Sequence, residues 1–373
     1  MAGSPLYPPV RRGDASKQAH VSVPKNTYEE ELGTEGFDGP ASHIYHKNPP
    51  TGWCKIAGPK QPRCLYLDTF VGSDSDVEKT LMYNDEVLLS GWHLSESMTY
   101  LRRNALGDRL IFTHRGEGVL ISEFGSLHFS EGDYLFLPRG ATYQMQLTSE
   151  DAFFYVIDAI ETHIGLPDRG LLGKHAHADP GIYRLPKENT EGSHGKGKEW
   201  VVRVEDADGV TELTYDFDPV DVTGWKGDLF PYALNWRDIR PVISHNYHLP
   251  PSVHATFVGE GFYVISFVPR PHESTEDAQK VPFYHRNIDY DETIFYHAGN
   301  FFSRSTVREG MLTLHPRGLH HGPHPKKYRE QDKLAGKMAQ EVAIMVDTRR
   351  PLKVVADIPK GAEDKNYAMS WKE

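Results

Sequence analysis

Between Gly310 and Pro325 the chain reads GMLTLHPRGLHHGPHP, with four histidines (His315, His320, His321 and His324) among three glycines and three prolines. Imidazole is the side chain that binds transition metals as a neutral ligand and exchanges protons near neutral pH. Four of them beside so much turn chemistry raise the question of which one binds something. A second copy of the pattern lies 178 residues earlier: Gly132 begins GDYLFLPRGATY and Gly310 begins GMLTLHPRGLHH. Each reads Gly, five residues, Pro-Arg-Gly, two residues, then Tyr143 in the first copy and His321 in the second. Such an internal repeat indicates duplication of one β-domain. Only the second copy has an imidazole at the shared position.

The elements that must position these residues are short. Runs such as LIFTHRG, GVLISEF, YLFLPRG, AFFYVIDAI, ATFVGEGFYVISFVP and EVAIMVDT are rich in β-branched and aromatic residues, and Gly, Pro, Asp and Asn separate them. That pattern predicts strands. The best helix candidate, KKYREQDKLAGKMAQ, is polar and carries a glycine within the run. The fold class expected is all-β, of sandwich or jelly-roll type, with an irregular Pro- and Gly-rich extension over the first 60 or so residues. The repeat divides the chain into an N-terminal β domain, 1–230, and a C-terminal one, 231–373. The polar segment from about Leu172 to Lys198, with ENTEGSHGKGK inside it, reads as a long loop or crossover.

The net charge of −11 argues against a nucleic-acid partner, which needs a basic face. No apolar run approaches the ~20 residues of a membrane span, and MAGSPLYPPVRRGDASK has no apolar core of a secretory signal. Two cysteines, Cys54 and Cys64, fit reduced thiols in a cytoplasmic protein.

Gly, five residues, Pro-x-Gly, two residues, His resembles the second signature motif of the cupins. The first motif is matched upstream by HRNIDYDETIFYHAG: His285, then Asn287 where many cupins have a second histidine, then Glu292, six residues and Gly299. The resemblance implies a bicupin whose first copy is degenerate and metal-free and whose second copy holds a metal through His285, Glu292 and His321. Asp289 and Asp291 are rival carboxylates, but the gap to Gly299 favours Glu292. Two imidazoles and one carboxylate on one face of a metal leave three open positions, which suits non-haem Fe(II) acting on O2. His315, on the strand before the turn, is expected to face the same cavity. His320 is expected to point away and His324 to be solvated.

A closer resemblance covers most of the chain. SHNYHLPPSVHATF, PFYHRN, LHHGPHP and VAIMVDTRRPL, with GFDGPASHIYHKNPPTGW and FPYALNWRDIRP, are similar to the homogentisate 1,2-dioxygenase family. The resemblance implies one Fe(II) on His285, Glu292 and His321, an active-site base at His248 in HLPPS, and oligomers built from trimers. It implies a substrate of the para-diol class, opened by O2 to a dicarbonyl acid, with His248 taking the proton of a ring hydroxyl. Asn287 would then hydrogen-bond substrate or oxygen.

The sequence departs from the family where tyrosine hydroxyls hold the substrate's carboxylate: those places are Phe283 and Phe301. Each hydrogen bond to a charged group is worth about 1.5–3 kcal/mol. The expectation is therefore a ring with a methyl, chloro, alkyl or no substituent, with homogentisate itself kept as an alternative. Two other readings compete: a cupin sugar isomerase using Zn2+ or Mn2+, and a non-enzymatic bicupin.

Overall fold

The strand Ala152–Ala159 is buried at every residue. Its side chains alternate between two cores, as the period of two in a strand requires. Phe153, Tyr155 and Ile157 enter one, and Ala152, Phe154 and Val156 enter the other. An uninterrupted apolar run is therefore a strand covered on both faces. The chain is seen here as a computed structural model that describes residues 10–73, 77–188, 192–195, 197 and 199–372. It is almost wholly β, built from two jelly-roll copies as expected for a bicupin.

In the first copy a seven-stranded sheet centred on Arg109–Arg115 and Ala152–Ala159 faces a six-stranded sheet containing Thr142–Leu147 and Gly118–Ser122. In the second copy another seven-stranded sheet runs through Ala255–Gly259, Phe262–Phe267, Val342–Thr348, Asp291–Ala298 and Met311–His315. The two seven-stranded sheets stack on each other. Tyr155 meets Phe295 with ring centroids 5.0 Å apart, Tyr134 meets Phe257 at 5.3 Å, and Tyr134 Oη lies 2.7 Å from Ser266 Oγ. A fully buried Phe is worth about 1.5–3 kcal/mol, so this contact is a core rather than a docking face.

Segments cross between the copies. Arg63–Tyr66 completes the edge of the second sheet beside Met311–His315. Tyr232–Asn235 pairs with Asp133–Leu137, and Lys353–Val354 pairs with Lys79–Tyr83, both in the first sheet. The N-terminal extension also contains strands. Tyr28–Gly33 pairs antiparallel with Ser42–His46 and parallel with Tyr284–Asn287.

The duplication is visible atom by atom. Asp108 precedes Arg109 as Asp291 precedes Glu292. Asp108 Oδ1 accepts the Arg139 N–H at 2.7 Å, and Asp291 Oδ1 accepts the Arg317 N–H at 2.8 Å, each holding a Pro-Arg-Gly turn. Gly140 and Gly318 take φ of +83° and +80°, the left-handed region that glycine adopts freely. Their N–H groups donate to Asn104 O and Asn287 O. His114 and His297 face each other where the copies meet, Nδ1 to Nδ1 at 2.9 Å.

The expected helix in 326–340 breaks up. It is a short α-helix, Pro325–Arg329, then a 3-10 turn, Gln331–Leu334, and a strand, Met338–Ala339. Gly336 at φ +71° ends any helical path. Of the polar stretch 186–198, residues 189–191, 196 and 198 lie outside the described residues. The part that is described is pinned to the first copy by Ser193 on Asp218 and His194 on Gln144. Cys54 and Cys64 are free thiols.

Candidate metal centre

Along Asp291–Ala298 the even positions Glu292, Ile294 and Tyr296 share one face, and all three line a cavity inside the second copy. Ala343 and Met345 line it from Val342–Thr348. His285 enters from Tyr284–Asn287, and the turn after Met311–His315 brings in His321. The backbones of His285 and His321 hydrogen-bond each other in both directions, at 2.9 and 3.0 Å. Gly299, at φ +94°, lets the chain turn against Gln340, where a Cβ would lie 1.8 Å from the carbonyl oxygen.

The three chemistry-bearing side chains converge. His285 Nε2 lies 3.4 Å and His321 Nε2 3.5 Å from Glu292 Oε2. Nδ1 of His285 faces the Phe283 carbonyl at 3.1 Å, and Nδ1 of His321 faces the Leu319 carbonyl at 3.0 Å. A carbonyl only accepts, so each Nδ1 carries the proton and donates it. Both Nε2 lone pairs then point at a carboxylate oxygen with no proton between them, and His321 Nε2 is buried without a hydrogen-bond partner. Burial and the neighbouring His285 push His321 down to about 4, so it is neutral at pH 7. Three acceptors facing one another fit a cation.

Glu292 is held from behind. His315 is its directly opposed partner in the sheet, and His315 Nδ1 lies 2.6 Å from Glu292 Oε1. Arg304 Nη1 donates to His315 Nε2 at 2.8 Å, to Tyr296 Oη at 3.1 Å and to Tyr367 Oη at 3.0 Å. Burial and Arg304 drive His315 well below its ordinary value. Burial alone would raise Glu292, yet amid the His321, His285 and His315 imidazoles its carboxyl lies well below its ordinary value. Its other neighbour across the sheet is Asp347, which burial and Glu292 push well above the usual carboxylate range.

His248 lines the cavity together with Glu273, Phe283, Phe302 and Arg270. Its Nδ1 lies 2.7 Å from Glu273 Oε1. Burial favours the neutral acid, yet His248 keeps the Glu273 carboxyl below its ordinary value. Arg270 is paired with Glu341 at 2.8 Å. Phe283 stands between His248 and His285, with ring centroids 6.1 and 5.6 Å away.

Three expected substrate contacts are corrected. Asn287 turns away from the cavity and braces its own turn. Its Nδ2 donates to Gly36 O, and its Oδ1 accepts the Asp289 and Tyr290 N–H groups. Asn104 does the same for Leu106 in the first copy. Phe301 packs edge-on behind Tyr296, centroids 4.8 Å apart, and it is the next residue, Phe302, that reaches the cavity. His315 shares the inward face of its strand, but Glu292, Arg304 and Tyr367 enclose it. His324, expected in solvent, is buried between Ser305 and Trp371. His320 contacts Glu30 at 3.2 Å. Asp291, the rival carboxylate, accepts the N–H groups of Arg317 and Leu352, and Asp289 accepts that of Glu35. Arg304, Glu273, Arg270 and Tyr367 belong to the site and were not anticipated. Only the paired turn motifs mark positions in sequence, and these four lie outside them.

In the first copy Arg109 stands where Glu292 does, and Tyr143 where His321 does. Arg109 makes two hydrogen bonds to Asp158, at 2.7 and 2.9 Å, and one to Tyr143 Oη at 3.0 Å.

Residues 52–236 match the family model described as homogentisate 1,2-dioxygenase N-terminal. A Saccharolobus solfataricus protein named "Putative dioxygenase" is 33% identical over 97% of this chain and 98% of its own length. The chain belongs to the homogentisate 1,2-dioxygenase family. Membership makes it an enzyme of the dioxygenase class. The homogentisate 1,2-dioxygenase of Bradyrhizobium diazoefficiens is 26% identical over 72% of this chain, and the match spans 62% of that family member's length. Among solved structures, a cupin 2 conserved barrel domain protein from Leptotrichia buccalis overlaps 79% of this chain and all of its own, at 9% identity and a TM-score of 0.36. Among the described residues no helix is long and apolar enough to cross a membrane.

Proposed function

We propose that the chain is an Fe(II)-dependent ring-cleaving dioxygenase that takes O2 and a homogentisate-like or other substituted hydroquinone to a ring-opened dicarbonyl acid. The observation that carries the reading is the convergence of two Nε2 lone pairs and one carboxylate oxygen beside the cavity that His285, Glu292 and His248 line. Fe(II) held by His285, Glu292 and His321 would supply a Lewis acid for a ring hydroxyl and the one-electron chemistry O2 requires.

The chain's own residues do the rest. Glu273 beside His248 Nδ1 fixes which ring nitrogen bears the proton, so Nε2 is the one that accepts a proton from the para-diol. Phe283 and Phe302 flank the ring and exclude water. Glu341 balances the charge of Arg270, so the wall around Phe283 suits an uncharged substituent better than a carboxylate. Of the two departures from the family, Phe283 and Phe301, Phe283 alone lines the cavity and bears on which substituent fits. We place the enzyme in the cytoplasm as a trimer-based homo-oligomer, with neither nucleic acid nor membrane as partner.

The test is O2 consumption by Fe(II)-loaded protein with homogentisate, hydroquinone, methylhydroquinone, chlorohydroquinone, gentisate and catechol. Uptake with a para-diol, together with the absorbance of a ring-opened product, supports the reading. No uptake with any of the panel at full iron loading overturns it.

A further inference from the structure

We propose that His20, Glu31 and His43 form a second site for a divalent cation of the zinc class, which clamps the N-terminal segment against the wall of the cavity. Glu31 and His43 are directly opposed residues of the hairpin Tyr28–Gly33 and Ser42–His46. His20 comes from the loop before it. His43 Nε2 lies 3.3 Å and His20 Nε2 3.5 Å from Glu31 Oε2. All three ligand atoms lie within 4.8 Å of one another. Ligands bound tetrahedrally at ~2.1 Å stand about 3.4 Å apart, close to the two distances found.

The surroundings are those of a metal ligand. His20 Nδ1 lies 2.6 Å from Glu29 Oε1, and Glu29 is fully buried. A carboxylate on the far nitrogen fixes the tautomer that leaves Nε2 free to ligate, and it makes that nitrogen more basic. With the proton on Nδ1, His20 Nε2 presents a lone pair to Glu31 Oε2. His43 Nε2 and Glu29 Oε2 are buried without hydrogen-bond partners. The strand's alternation sends its acids to opposite sides. Glu29 and Glu31 share this face, while Glu30 turns to His46, His320 and Arg286 on the other.

Charge balance points the same way. Two carboxylates, Glu29 and Glu31, are buried here, and one divalent ion would cancel them in place of protons on His20 and His43. The side chain of His43 keeps 27% of its surface exposed, so the cluster lies near solvent although its ligating Nε2 is covered. The site bears on the cavity through one contact: the His20 ring lies flat on Phe283, centroids 3.9 Å apart and 8° from parallel.

The test is Zn2+ uptake by the full chain, stripped of metal and titrated against a competing chelator. Hydrogen exchange of residues 20–46 is followed alongside. Two tight equivalents are expected for the wild type, one for His43→Gln, one for Glu31→Gln and one for Glu292→Gln. Protection of 20–46 should rise with the single equivalent bound by Glu292→Gln but not with the single equivalent bound by His43→Gln. His43 is partly exposed, so its variant folds even if Glu31→Gln does not. A single wild-type equivalent that Glu292→Gln abolishes would mean that protons alone balance the cluster, and would overturn the proposal. So would two equivalents retained in His43→Gln.

Discussion

Glu292 and Asp347 are directly opposed on neighbouring strands, two acids at the place where the first copy pairs Arg109 with Asp158. In the first copy the guanidinium supplies the positive charge permanently. In the second, the nearest guanidinium is Arg304, whose Nη2 lies 4.0 Å from Glu292 Oε1, and burial and Glu292 push Asp347 well above the usual carboxylate range. Asp347→Asn, a near-isosteric copy of the neutral acid, should leave tight metal binding within about threefold of wild type. Glu292→Gln should abolish it, because an amide cannot replace the anionic ligand. Metal content after gel filtration in chelator checks both.

His248 and Glu273 should separate chemistry from metal binding. His248→Ala is expected to lower kcat by roughly 10²–10⁴-fold, the usual contribution of a general base, with iron content unchanged. Glu273→Gln keeps the shape but gives up the charge that orients the imidazole, and should fall between wild type and His248→Ala. Steady-state kinetics beside iron assays decide it. A variant that loses iron along with activity would return His248 to a structural role.

Phe283 and Phe301 should behave differently. Phe283→Tyr puts a hydroxyl into the cavity and should raise the preference for homogentisate over methylhydroquinone by about 10-fold or more, from a bond worth roughly 1.5–3 kcal/mol. Phe301→Tyr puts its hydroxyl behind Tyr296 and should leave that ratio alone. Comparing kcat/KM for both substrates in both variants tests the placement.

The stability of the extension should depend on acid. Burial works against the Glu30 carboxylate, but His320, His46 and Arg286 bring it down to about 2. Its folded pKa is below the ordinary 4.5, so the stabilisation is complete above pH 4.5 and is lost as pH falls toward 2. Glu30→Gln should cost about 1–3 kcal/mol at pH 7, and the gap from wild type should close as pH approaches 2. Denaturant unfolding at several pH values measures it.

Much of this was legible in the sequence because two kinds of signal are local. The β-branched and aromatic composition of AFFYVIDAI and EVAIMVDT foretold strands, and the paired Pro-Arg-Gly turns foretold the duplication. The same spacing picked out His285, Glu292 and His321, which the fold brings together. The errors share one physical cause, which is that side-chain direction beyond a turn is set by tertiary contacts. Asn287 looked like a polar group near a metal, yet its turn needs the amide. Phe301 and Phe302 differ by one residue, and only packing against Tyr296 decides which reaches the cavity. Arg304 and Glu273 were invisible because nothing in their own neighbourhood repeats.

The exchanged strands have a consequence for how the molecule can be divided. Arg63–Tyr66 edges the second sheet, while Tyr232–Asn235 and Lys353–Val354 belong to the first. Each half is finished by pieces borrowed from the other, so no single cut yields two self-sufficient parts. A severed half would expose an unpaired sheet edge and the aromatic layer around Phe112, Tyr155 and Phe295. The copy with the convergent ligands is thereby tied to its partner's survival. Selection on the one must preserve the other, which explains how a half without the convergent ligands can persist beside one that has them.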